Sequence, residues 1–436
     1  MLHSSVTICL RFVSASSIVR GMFGWIRRGV CGFALCVAVL SQPTQALAVD
    51  LDFQNWLAAQ WPDAERLGVS RATFEIATRG LEPDLSLPDL AIPGQPERPP
   101  PGQPEFVQTP SDYLKESSFE RLAKEARRLN EQYRPTLAAI EQQFGVPSAV
   151  LLAIWGRETA FGTYRLPHNA IRVLATQAYL GRRKDFFRQE FLYALKILQE
   201  GHVKLADMRS SWGGAMGLTQ LLPTEFYKYA VDFDGDGRRD IWNSVPDALA
   251  SAAKQLLDKG WETGKSWAYE VRAPANVDCT IAEPDTRYQI GEWLKRGFVP
   301  AYGRKLRADE LAEPASLLMP AGLYGPAFLT PKNYFVIKEY NFSDLYVLFV
   351  GHLSDLISDS RPFETPWGKV VQLRTEQLEH MQRRLTDQGY YGDKIDGKAG
   401  MKTRAAVGAY QRASGLKVDC WPSAALIEHL QVSPHN

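Results

Sequence analysis

The sequence predicts an α+β fold in which helices predominate, with a small helical module at the C-terminal end. Apolar residues recur at helical spacing from Ser111 to about Leu257, as in SSFERLAKEARRLNEQYRPTLAAIEQQF and RQEFLYALKILQEG. Over residues 265–335, short β-like pieces such as SWAYEVRA and YFVIKEY occur among helices. With 436 residues, 45% of them hydrophobic, the chain can bury a sizeable core and is expected to hold more than one domain.

The first 48 residues have the features of a cleaved signal peptide. The stretch WIRRGVCGFALCVAVLSQPTQALA combines a basic head, an apolar run over residues 30–40 and a small-residue cleavage site at residues 46–48. We therefore expect an exported chain that begins near Val49 after processing. Met22 is an alternative start to the first methionine, because residues 1–21 add nothing that a signal peptide needs.

Five cysteines are present, and three of them fall in the predicted signal peptide. Lipid attachment at Cys36 is not expected, because a leucine precedes it where a lipoprotein signal has a small residue. Cys279 and Cys420 fall in different predicted domains, so we expect two unpaired thiols, with a disulfide in an oxidising compartment as the alternative. No cysteine pair has zinc-finger spacing and no HExxH motif occurs, so a zinc enzyme is not supported.

The charge of the chain argues against a nucleic-acid-binding protein. The formal net charge of +1 becomes −3 when the four arginines of residues 1–48 are removed with the predicted signal peptide. Nucleic-acid-binding domains need a basic surface to neutralise phosphates. We therefore expect no nucleic acid among the partners of this protein.

Composition divides the remaining sequence into a large domain, a linker and a small domain. Residues 49–360 form the predicted large domain, which includes the Pro/Gly-rich loop LPDLAIPGQPERPPPGQPEF. The stretch SRPFETPWG is typical of an interdomain connection, and we place the linker at residues 361–372. Residues 373–433 then form a small domain of three short helices separated by Gly-rich turns.

The small domain resembles the peptidoglycan-binding domain found at the ends of many cell-wall enzymes. The matching positions extend over nearly the whole segment: Leu378, Gln382, Leu385, Gly389, Tyr390, Asp396, Gly397, Gly400, Thr403, Ala406, Tyr410, Gln411, Gly415 and Leu416. One departure is Cys420, where the family usually has glycine, and it leaves the geometry of the last turn open. The resemblance implies that this domain binds peptidoglycan.

A glutamate of the large domain lies on the apolar face of a predicted helix. In GVPSAVLLAIWGRETAFG, apolar residues precede Glu158 by three, four and seven positions and therefore share roughly its face. Its carboxyl is expected to point toward the interior, where desolvation raises the pKa of a carboxyl group. The alternative is a partly buried carboxylate that pairs with an arginine, either Arg157 or Arg165.

Two further stretches have features that are common in saccharide sites. SSWGGAMGLTQLLPTEF begins with small residues and glycines, so that backbone can approach a ligand closely, and it contains the neutral hydrogen-bonding side chain Gln220. EYNFSDLY offers Tyr340 and Tyr346 as aromatic platforms and Asn341 as an amide between them. Saccharide sites commonly combine apolar ring faces with such neutral donors and acceptors.

Together these stretches resemble the lytic murein transglycosylase B family, a lysozyme-like group of bacterial cell-wall enzymes (glycoside hydrolase family 103). The resemblance runs from about Phe53 to Ile357, with several long motifs in the same order. It implies a lysozyme-like catalytic domain with Glu158 as acid and base. Binding roles are implied for the following residues: Ser211, Gln220, Tyr340, Asn341 and Tyr346. At Gln255 the family often has tyrosine, so the resemblance does not extend to a stacking contact in one subsite.

The resemblance also implies a lytic reaction at the MurNAc-β-1,4-GlcNAc bond of peptidoglycan. In the family mechanism one glutamate protonates the leaving oxygen, and the N-acetyl group of MurNAc stabilises the positive sugar. The same glutamate, here Glu158, then removes a proton from the C6 hydroxyl, which closes 1,6-anhydro-MurNAc without consuming water. The alternatives are a hydrolytic muramidase and a non-catalytic peptidoglycan-binding scaffold protein.

An acidic stretch, DFDGDGRRDIW, has the spacing of an EF-hand-like calcium loop. Carboxylates and a carbonyl occupy positions 1, 3, 5, 7 and 9 of such a loop: Asp232, Asp234, Asp236, Arg238 through its carbonyl, and Asp240. Position 12 is Asn243 instead of the usual glutamate, and Asp247 is expected to supply the missing carboxylate, as a nearby aspartate does in the family. We expect a structural Ca²⁺ here, with a solvated acidic turn as the alternative.

Location and partners follow from the signal peptide and the resemblance. We expect a periplasmic protein, monomeric and without an organic cofactor, that acts on peptidoglycan glycan strands. Proteins of cell-wall synthesis or division are further candidate partners.

Overall fold

The computed structural model describes residues 52–95 and 102–432. The predicted signal peptide and the centre of the Pro/Gly-rich loop lie outside the described residues. Within the described part, no single helix is long and apolar enough to cross a membrane, although the bent pair Arg134–Phe144 and Ser148–Thr159 meets that test by composition and combined length.

The described residues are mainly helical, and strands are short, as the sequence predicts. The helices of the first half are α1 (52–59), α2 (Trp61–Arg66), α3 (Arg71–Thr78), α4 (Pro104–Val107), α5 (Pro110–Tyr113), α6 (Glu116–Gln132), α7 (Arg134–Phe144), α8 (Ser148–Thr159), α9 (Ala170–Leu180), α10 (Lys184–Gln199), α11 (Pro223–Tyr229) and α12 (Val245–Asp258). Those of the second half are α13 (Ile290–Lys295), α14 (Ala308–Leu311), α15 (Lys332–Asn341), α16 (Asp344–Ser358), α17 (Thr375–Asp387), α18 (Met401–Ala413) and α19 (Ala424–Val432).

Seven of the eight strands in the described residues form a two-stranded ribbon and a five-stranded antiparallel sheet, and the strand Pro320–Leu323 belongs to neither. They are β1 (His168–Asn169), β2 (Arg209–Ser210), β3 (Tyr269–Arg272), β4 (Arg287–Gln289), β5 (Val299–Pro300), β6 (Pro314–Leu318), β7 (Pro320–Leu323) and β8 (Ala327–Thr330). The larger sheet has the order β4-β6-β8-β3-β5, with Leu317 opposite Leu329. β3 confirms the strand predicted from SWAYEVRA.

The second β-like piece, YFVIKEY, is wrong as a strand prediction, because it lies within α15. Its aromatic and β-branched residues favour strands intrinsically. Tyr334 and Ile337 are nevertheless both fully buried at a spacing of three residues, which fits one face of a helix. Packing on that face therefore overrides the local preference.

The core of the large domain surrounds α8. Side chains from α6, α7, α12, α15 and α16 join those of α8 in one buried cluster. A second cluster unites α1–α3 with α9–α11, and a third lies on the five-stranded sheet. Because α8 is buried over all of residues 150–156, its apolar residues extend around the whole helix, as expected of a central helix.

Residues 361–372 contain neither helix nor strand, and α17–α19 follow with a small core of their own. The connection is held against the sheet, because the carboxylate of Glu270 accepts the backbone N–H groups of Glu364 and Thr365 at 2.9 and 2.8 Å. We call residues 373–432 the C-terminal module.

The expectation of two unpaired thiols is wrong, because Cys279 and Cys420 form a disulfide with a Cα–Cα distance of 6.1 Å. Cys279 begins a 3-10 turn beside the sheet, and this turn packs against α18 of the module. Gly408 of α18 leaves the space that Cys420 Sγ occupies, since a Cβ at this position would collide with the sulfur. The two domains therefore dock closely enough to be joined covalently.

Candidate active site

Glu158 lies in the last turn of α8. The helix ends here because Ala160, Phe161 and Gly162 adopt left-handed backbone conformations, with φ of 47°, 59° and 77°. The chain therefore turns away directly after Thr159, and the glutamate side chain lies at the edge of the core, where it is only partly exposed.

Among the described residues, the carboxyl of Glu158 has one hydrogen bond, which Tyr346 OH donates to Oε1 at 2.6 Å. Burial raises the pKa of this carboxyl above its ordinary value, although the bond from Tyr346 and the charge of Arg157 act in the opposite direction. A negative charge on Glu105 adds to the rise. The protonated fraction of Glu158 near neutral pH is therefore larger than that of an exposed glutamate.

Arg157 does not pair with Glu158 by hydrogen bonds. Its guanidinium donates to Tyr113 OH at 2.7 and 3.0 Å and lies 3.8 Å from a carboxylate oxygen of Glu105, which is itself buried. Burial raises the pKa of Tyr113 to about 12, so this hydroxyl stays protonated. The arrangement places a cation near Glu158 but does not neutralise its carboxyl directly.

Two predicted binding residues, Tyr340 and Tyr346, stack on each other beside Glu158. Their rings are 6.1 Å apart between centroids and nearly parallel, at 10°. Tyr340 OH donates to the carbonyl of Thr219 at 2.7 Å. Burial, followed by the neighbouring Glu158 charge, raises the pKa of both tyrosines, so both hydroxyls remain donors.

The loop 211–222 is fastened beside Glu158 by two adjacent carbonyls. Thr159 Oγ1 donates to Leu218 O at 2.8 Å, and Thr219 O accepts the bond from Tyr340 described above. Gln220 follows with φ of 60°, a conformation that costs a non-glycine residue about 1–3 kcal/mol and that is found mainly at functional sites. Its Nε2 donates to Gly217 O at 2.9 Å.

The remaining predicted binding residues lie on the same two segments. Ser211 begins the loop, where its Oγ accepts the N–H of Ala215 at 3.2 Å. Asn341 ends α15 directly after Tyr340, and among the described residues its buried Oδ1 has no hydrogen-bond partner. An unsatisfied amide oxygen beside a tyrosine pair is available to a ligand donor.

Gln255, the departure from the family pattern, is buried on α12, and its Nε2 lies 3.5 Å from Glu225 Oε1. It offers a polar side chain to its neighbours and no ring face. Sequence reasoning missed Glu105, Tyr113 and Thr159. The first two lie in the stretch QPEFVQTPSDYL, which is part of the region that resembles the family.

The acidic loop brings three of the predicted ligands together. Carboxylate oxygens of Asp232, Asp234 and Asp247 lie within 4.8 Å of one another. Asp236 instead pairs with the guanidinium of Arg238 at 2.9 Å. Such a cluster of carboxylate oxygens suits a hard cation such as Ca²⁺.

Three aspartates organise this loop by accepting its backbone N–H groups, and the first is Asp232, which accepts those of Gly235, Asp236 and Gly237. Asp247, which is buried at the start of α12, accepts backbone N–H groups of Phe233, Asp234 and Asp240. Asp240 accepts the N–H groups of Trp242 and Asn243 at 3.0 and 2.9 Å. The donor set therefore fits a divalent cation held by three carboxylates, with the carboxylates of Asp236 and Asp240 outside that cluster. The role of the Arg238 carbonyl stays a prediction.

Comparison with known proteins finds similarity along most of the chain. Residues 52–355 match the family model "Transglycosylase SLT domain", and residues 374–430 match "Putative peptidoglycan binding domain". The membrane-bound lytic murein transglycosylase B of Escherichia coli (strain K12) is 29% identical over 231 residues, which cover 53% of this chain and 62% of that relative. The match therefore spans less than two thirds of that relative's length.

Two solved structures are also similar. SltB3 from Pseudomonas aeruginosa, in complex with NAG-NAM-pentapeptide, is 38% identical with a TM-score of 0.77, over 87% of this chain and 99% of that chain. The soluble lytic transglycosylase SltB1 from Pseudomonas aeruginosa is 26% identical with a TM-score of 0.56, over 71% of this chain and 99% of that chain.

Proposed function

This chain belongs to the transglycosylase SLT domain family, and from that premise we propose that it is a lytic murein transglycosylase that forms 1,6-anhydro-MurNAc. The expected architecture, a lysozyme-like catalytic domain followed by a peptidoglycan-binding domain, is confirmed by the family matches and by the likeness to SltB3. The observation that carries the reaction is the single carboxyl of Glu158, with its raised pKa and its bond to Tyr346.

In the first step, protonated Glu158 donates its proton to the oxygen between MurNAc and GlcNAc. The bond from MurNAc C1 to that oxygen breaks, and the GlcNAc end leaves as a hydroxyl. Tyr346 holds Oε1, and among the described residues no second group hydrogen-bonds to the carboxyl, so Oε2 is left for the substrate. The positive charge at C1 is stabilised by the carbonyl of the MurNAc N-acetyl group.

In the second step, the Glu158 carboxylate accepts the proton of the MurNAc C6 hydroxyl, and O6 bonds to C1. The carboxyl regains the proton that it donated, so the cycle consumes no water. Because O6 is tethered to the reacting ring, little entropy is lost in bringing it to C1. Tyr346 donates to the ionised carboxyl between the two steps, which stabilises the charge at the moment it forms.

We further propose that the strand lies against the tyrosine pair and the loop 211–222. Tyr340 offers a ring face, whereas Asn341 Oδ1 lacks a partner among the described residues and can accept a sugar N–H or O–H. Gln220 and Ser211 supply polar groups from the loop fastened to Thr159.

For the acidic loop we propose a structural Ca²⁺ that Asp232, Asp234 and Asp247 would hold. When bound, the ion would offset the repulsion among these carboxylates and so brace the segment between α11 and α12. It takes no part in the reaction at Glu158.

We also propose that the protein works in the periplasm, exported by residues 1–48. The disulfide supports this proposal, because such bonds persist in oxidising compartments and are rare in the cytosol. Peptidoglycan strands are the partner that the matched domains suit, and a monomer is the simplest assembly.

The test is the product released from purified glycan strands by the mature protein and by Glu158→Gln. We expect 1,6-anhydro ends from the first, and a loss of turnover of about 10²–10⁴-fold in the second, since proton transfer is removed while shape is kept. Glu190→Gln is a matched control, because Glu190 is also buried with a raised pKa but caps α11 through Thr224.

Mass spectrometry separates the alternatives. Ends that have gained water would indicate a hydrolytic muramidase, whereas binding to cell walls without any cleavage would indicate a scaffold protein. Equal turnover by the wild-type protein and Glu158→Gln would show that another group performs the chemistry.

A further inference from the structure

The C-terminal module is fixed to the large domain at several separate points. Besides the disulfide, Tyr324 OH donates to Asp419 Oδ2 at 2.7 Å, and Leu323 N–H donates to Asp419 O at 3.0 Å. Arg412 of α18 pairs with Asp278 at the exposed edge of the same contact. These contacts hold the module in place but lie on the side of the sheet.

One contact is different, because it is a buried ion pair. Arg404 of α18 lies 2.9 Å from Asp344, and both side chains are about nine-tenths or more buried, with 7% of each exposed. Asp344 also accepts from Lys338 Nζ at 2.6 Å and from Tyr334 OH at 2.7 Å. Lys338 and Arg404 together keep the pKa of Asp344 below its usual range despite burial.

Asp344 is the first residue of α16, and Tyr346 lies two residues later. Ser343 caps this helix by accepting the N–H groups of Leu345 and Tyr346 at 3.2 and 3.4 Å. The preceding residue, Phe342, has φ of 59° and ends α15, which carries Tyr340 and Asn341. Arg404 of the module therefore contacts the same segment that carries the tyrosines of the proposed site.

We propose that Arg404, a residue of the peptidoglycan-binding module, is a positioning residue for the reaction: through Asp344 it fixes the first turn of α16 and hence the bond from Tyr346 to Glu158. This inference rests on the proposed function of Glu158. It gives Arg404 a role in positioning Tyr346, in addition to the role of the module as an anchor for the substrate. Lys338 donates to Oδ1 of Asp344 and Arg404 donates to Oδ2, so each carboxylate oxygen has a cation of its own.

Loss of the cation should act through Tyr346. In Arg404→Met, Asp344 keeps only Lys338 and Tyr334, so the first turn of α16 is free to shift toward α15. A displacement of about 1 Å at a catalytic hydrogen bond costs up to 100-fold in rate. We therefore expect kcat to fall about tenfold or more in the full-length protein, with peptidoglycan co-sedimentation unchanged.

The pH profile shows whether the loss of Arg404 acts on the reaction through Tyr346 and Glu158. Groups facing Glu158 are Tyr346, Tyr340, Tyr113, Arg157 and Glu105. The hydrogen bond from Tyr346 favours the ionised form of Glu158. Weakening this bond therefore raises the pKa of Glu158 and moves the alkaline limb of kcat/KM to higher pH. Arg404→Met should move this limb in the same direction as Tyr346→Phe, and the two losses should not multiply in the double variant.

Two variants control the experiment. Arg412→Met removes another arginine of α18 that pairs with an aspartate of the large domain, but its partner Asp278 caps the 3-10 turn at Cys279 and not α16. This variant should leave kcat and the pH profile unchanged. Arg404→Lys keeps a cation beside Asp344 and should recover much of the lost rate, even where Arg404→Met is poorly folded by its melting curve.

Each result decides between outcomes. The inference is overturned if Arg404→Met has the kcat and the alkaline limb of the wild-type protein. It is also overturned if the rate losses of Arg404→Met and Tyr346→Phe multiply in the double variant. Either result leaves the proposed function standing. Failure of the wild-type protein to release anhydro ends overturns the proposed function itself, and the inference falls with it.

Discussion

At the scale of single residues, the proposed chemistry depends on one carboxyl whose pKa is shifted in opposite directions by its surroundings. Burial raises the pKa of Glu158 and favours the acid needed for the first step, whereas Tyr346 and Arg157 favour the carboxylate needed for the second. A group that must donate and then accept a proton works best when neither form is strongly preferred. The surroundings of Glu158 meet that requirement.

Tyr346→Phe tests this balance. The variant removes the donor to Glu158 Oε1, so the pKa of Glu158 should rise further and the alkaline limb of kcat/KM should move to higher pH. The rate at the optimum should fall about 10- to 150-fold, because a hydrogen bond to a charged group contributes about 1.5–3 kcal/mol. A pH-rate profile on glycan strands measures both effects.

Tyr269→Phe is the matched control, since Tyr269 is also buried and lies near a carboxylate, Glu310, but belongs to the sheet. A limb that stays in place in Tyr346→Phe, or that moves to lower pH, would contradict the role assigned to this hydroxyl.

The glutamate could be found from sequence because its evidence is local: apolar neighbours on one helix face. The residues that surround its carboxyl could not be found in the same way. Tyr113 lies 44 residues from Arg157 in sequence, and Tyr346 lies 188 residues from Glu158. Bonds over such separations depend on how helices pack, which residue spacing does not record. The resemblance to a family supplied Tyr346, and nothing comparable drew attention to Tyr113.

At the scale of elements, α8 carries the proposed acid and base, and the loop 211–222 carries proposed binding residues. α8 is a rigid central helix that ends at Thr159, and the loop is tied to that end by the Thr159 hydroxyl. The helices were predicted correctly where their apolar spacing extends over many residues. The prediction failed in YFVIKEY, where five of the seven residues are of strand-favouring type but the segment packs as a helix.

The acidic loop gives a prediction at this scale. Ca²⁺ that binds only the folded chain should raise the melting temperature, by about 3 °C at a hundred times Kd, where binding contributes about 2.7 kcal/mol. Asp247→Asn should abolish this response, because Asp247 both belongs to the carboxylate cluster and holds three backbone N–H groups. Calorimetry in Ca²⁺ or chelator measures it.

Asp236→Asn discriminates between the sequence spacing and the observed cluster. Asp236 occupies an EF-hand position but pairs with Arg238 outside the three grouped carboxylates, so its variant should keep the response. Identical melting curves in Ca²⁺ and chelator for the wild-type protein would remove the metal proposal.

At the scale of the whole molecule, the module and the large domain form a joined structure. Cys279 and Cys420 are 141 residues apart, and treating their domains as separate led to the expectation of free thiols. Each domain could be recognised from its own sequence pattern. The docking between them could not, because it depends on single contacts such as Arg404 with Asp344 and on the space that Gly408 leaves for the sulfur.

The disulfide closes a long loop, so its removal should destabilise the fold. Cross-links of this kind contribute about 2–5 kcal/mol, chiefly by restricting the unfolded chain. For a chain of this size we expect the double variant Cys279→Ser and Cys420→Ser to melt about 2–6 °C lower than the wild-type protein. Reducing agent should lower the melting temperature of the wild-type protein similarly and leave the variant unchanged.

The same variant separates attachment of the module from catalysis. The disulfide lies beside the sheet, and the pair of Arg404 with Asp344 does not involve the sulfurs, so we expect it to persist in the variant. At a temperature well below melting, the double variant should therefore release 1,6-anhydro ends with the pH profile of the wild-type protein. Thiol titration supplies the direct check, since the denatured, unreduced mature chain should expose no reactive thiol. A full titre of two thiols before reduction would mean that the bond does not form, and an altered pH profile would mean that the module is positioned by the disulfide instead of by the buried ion pair.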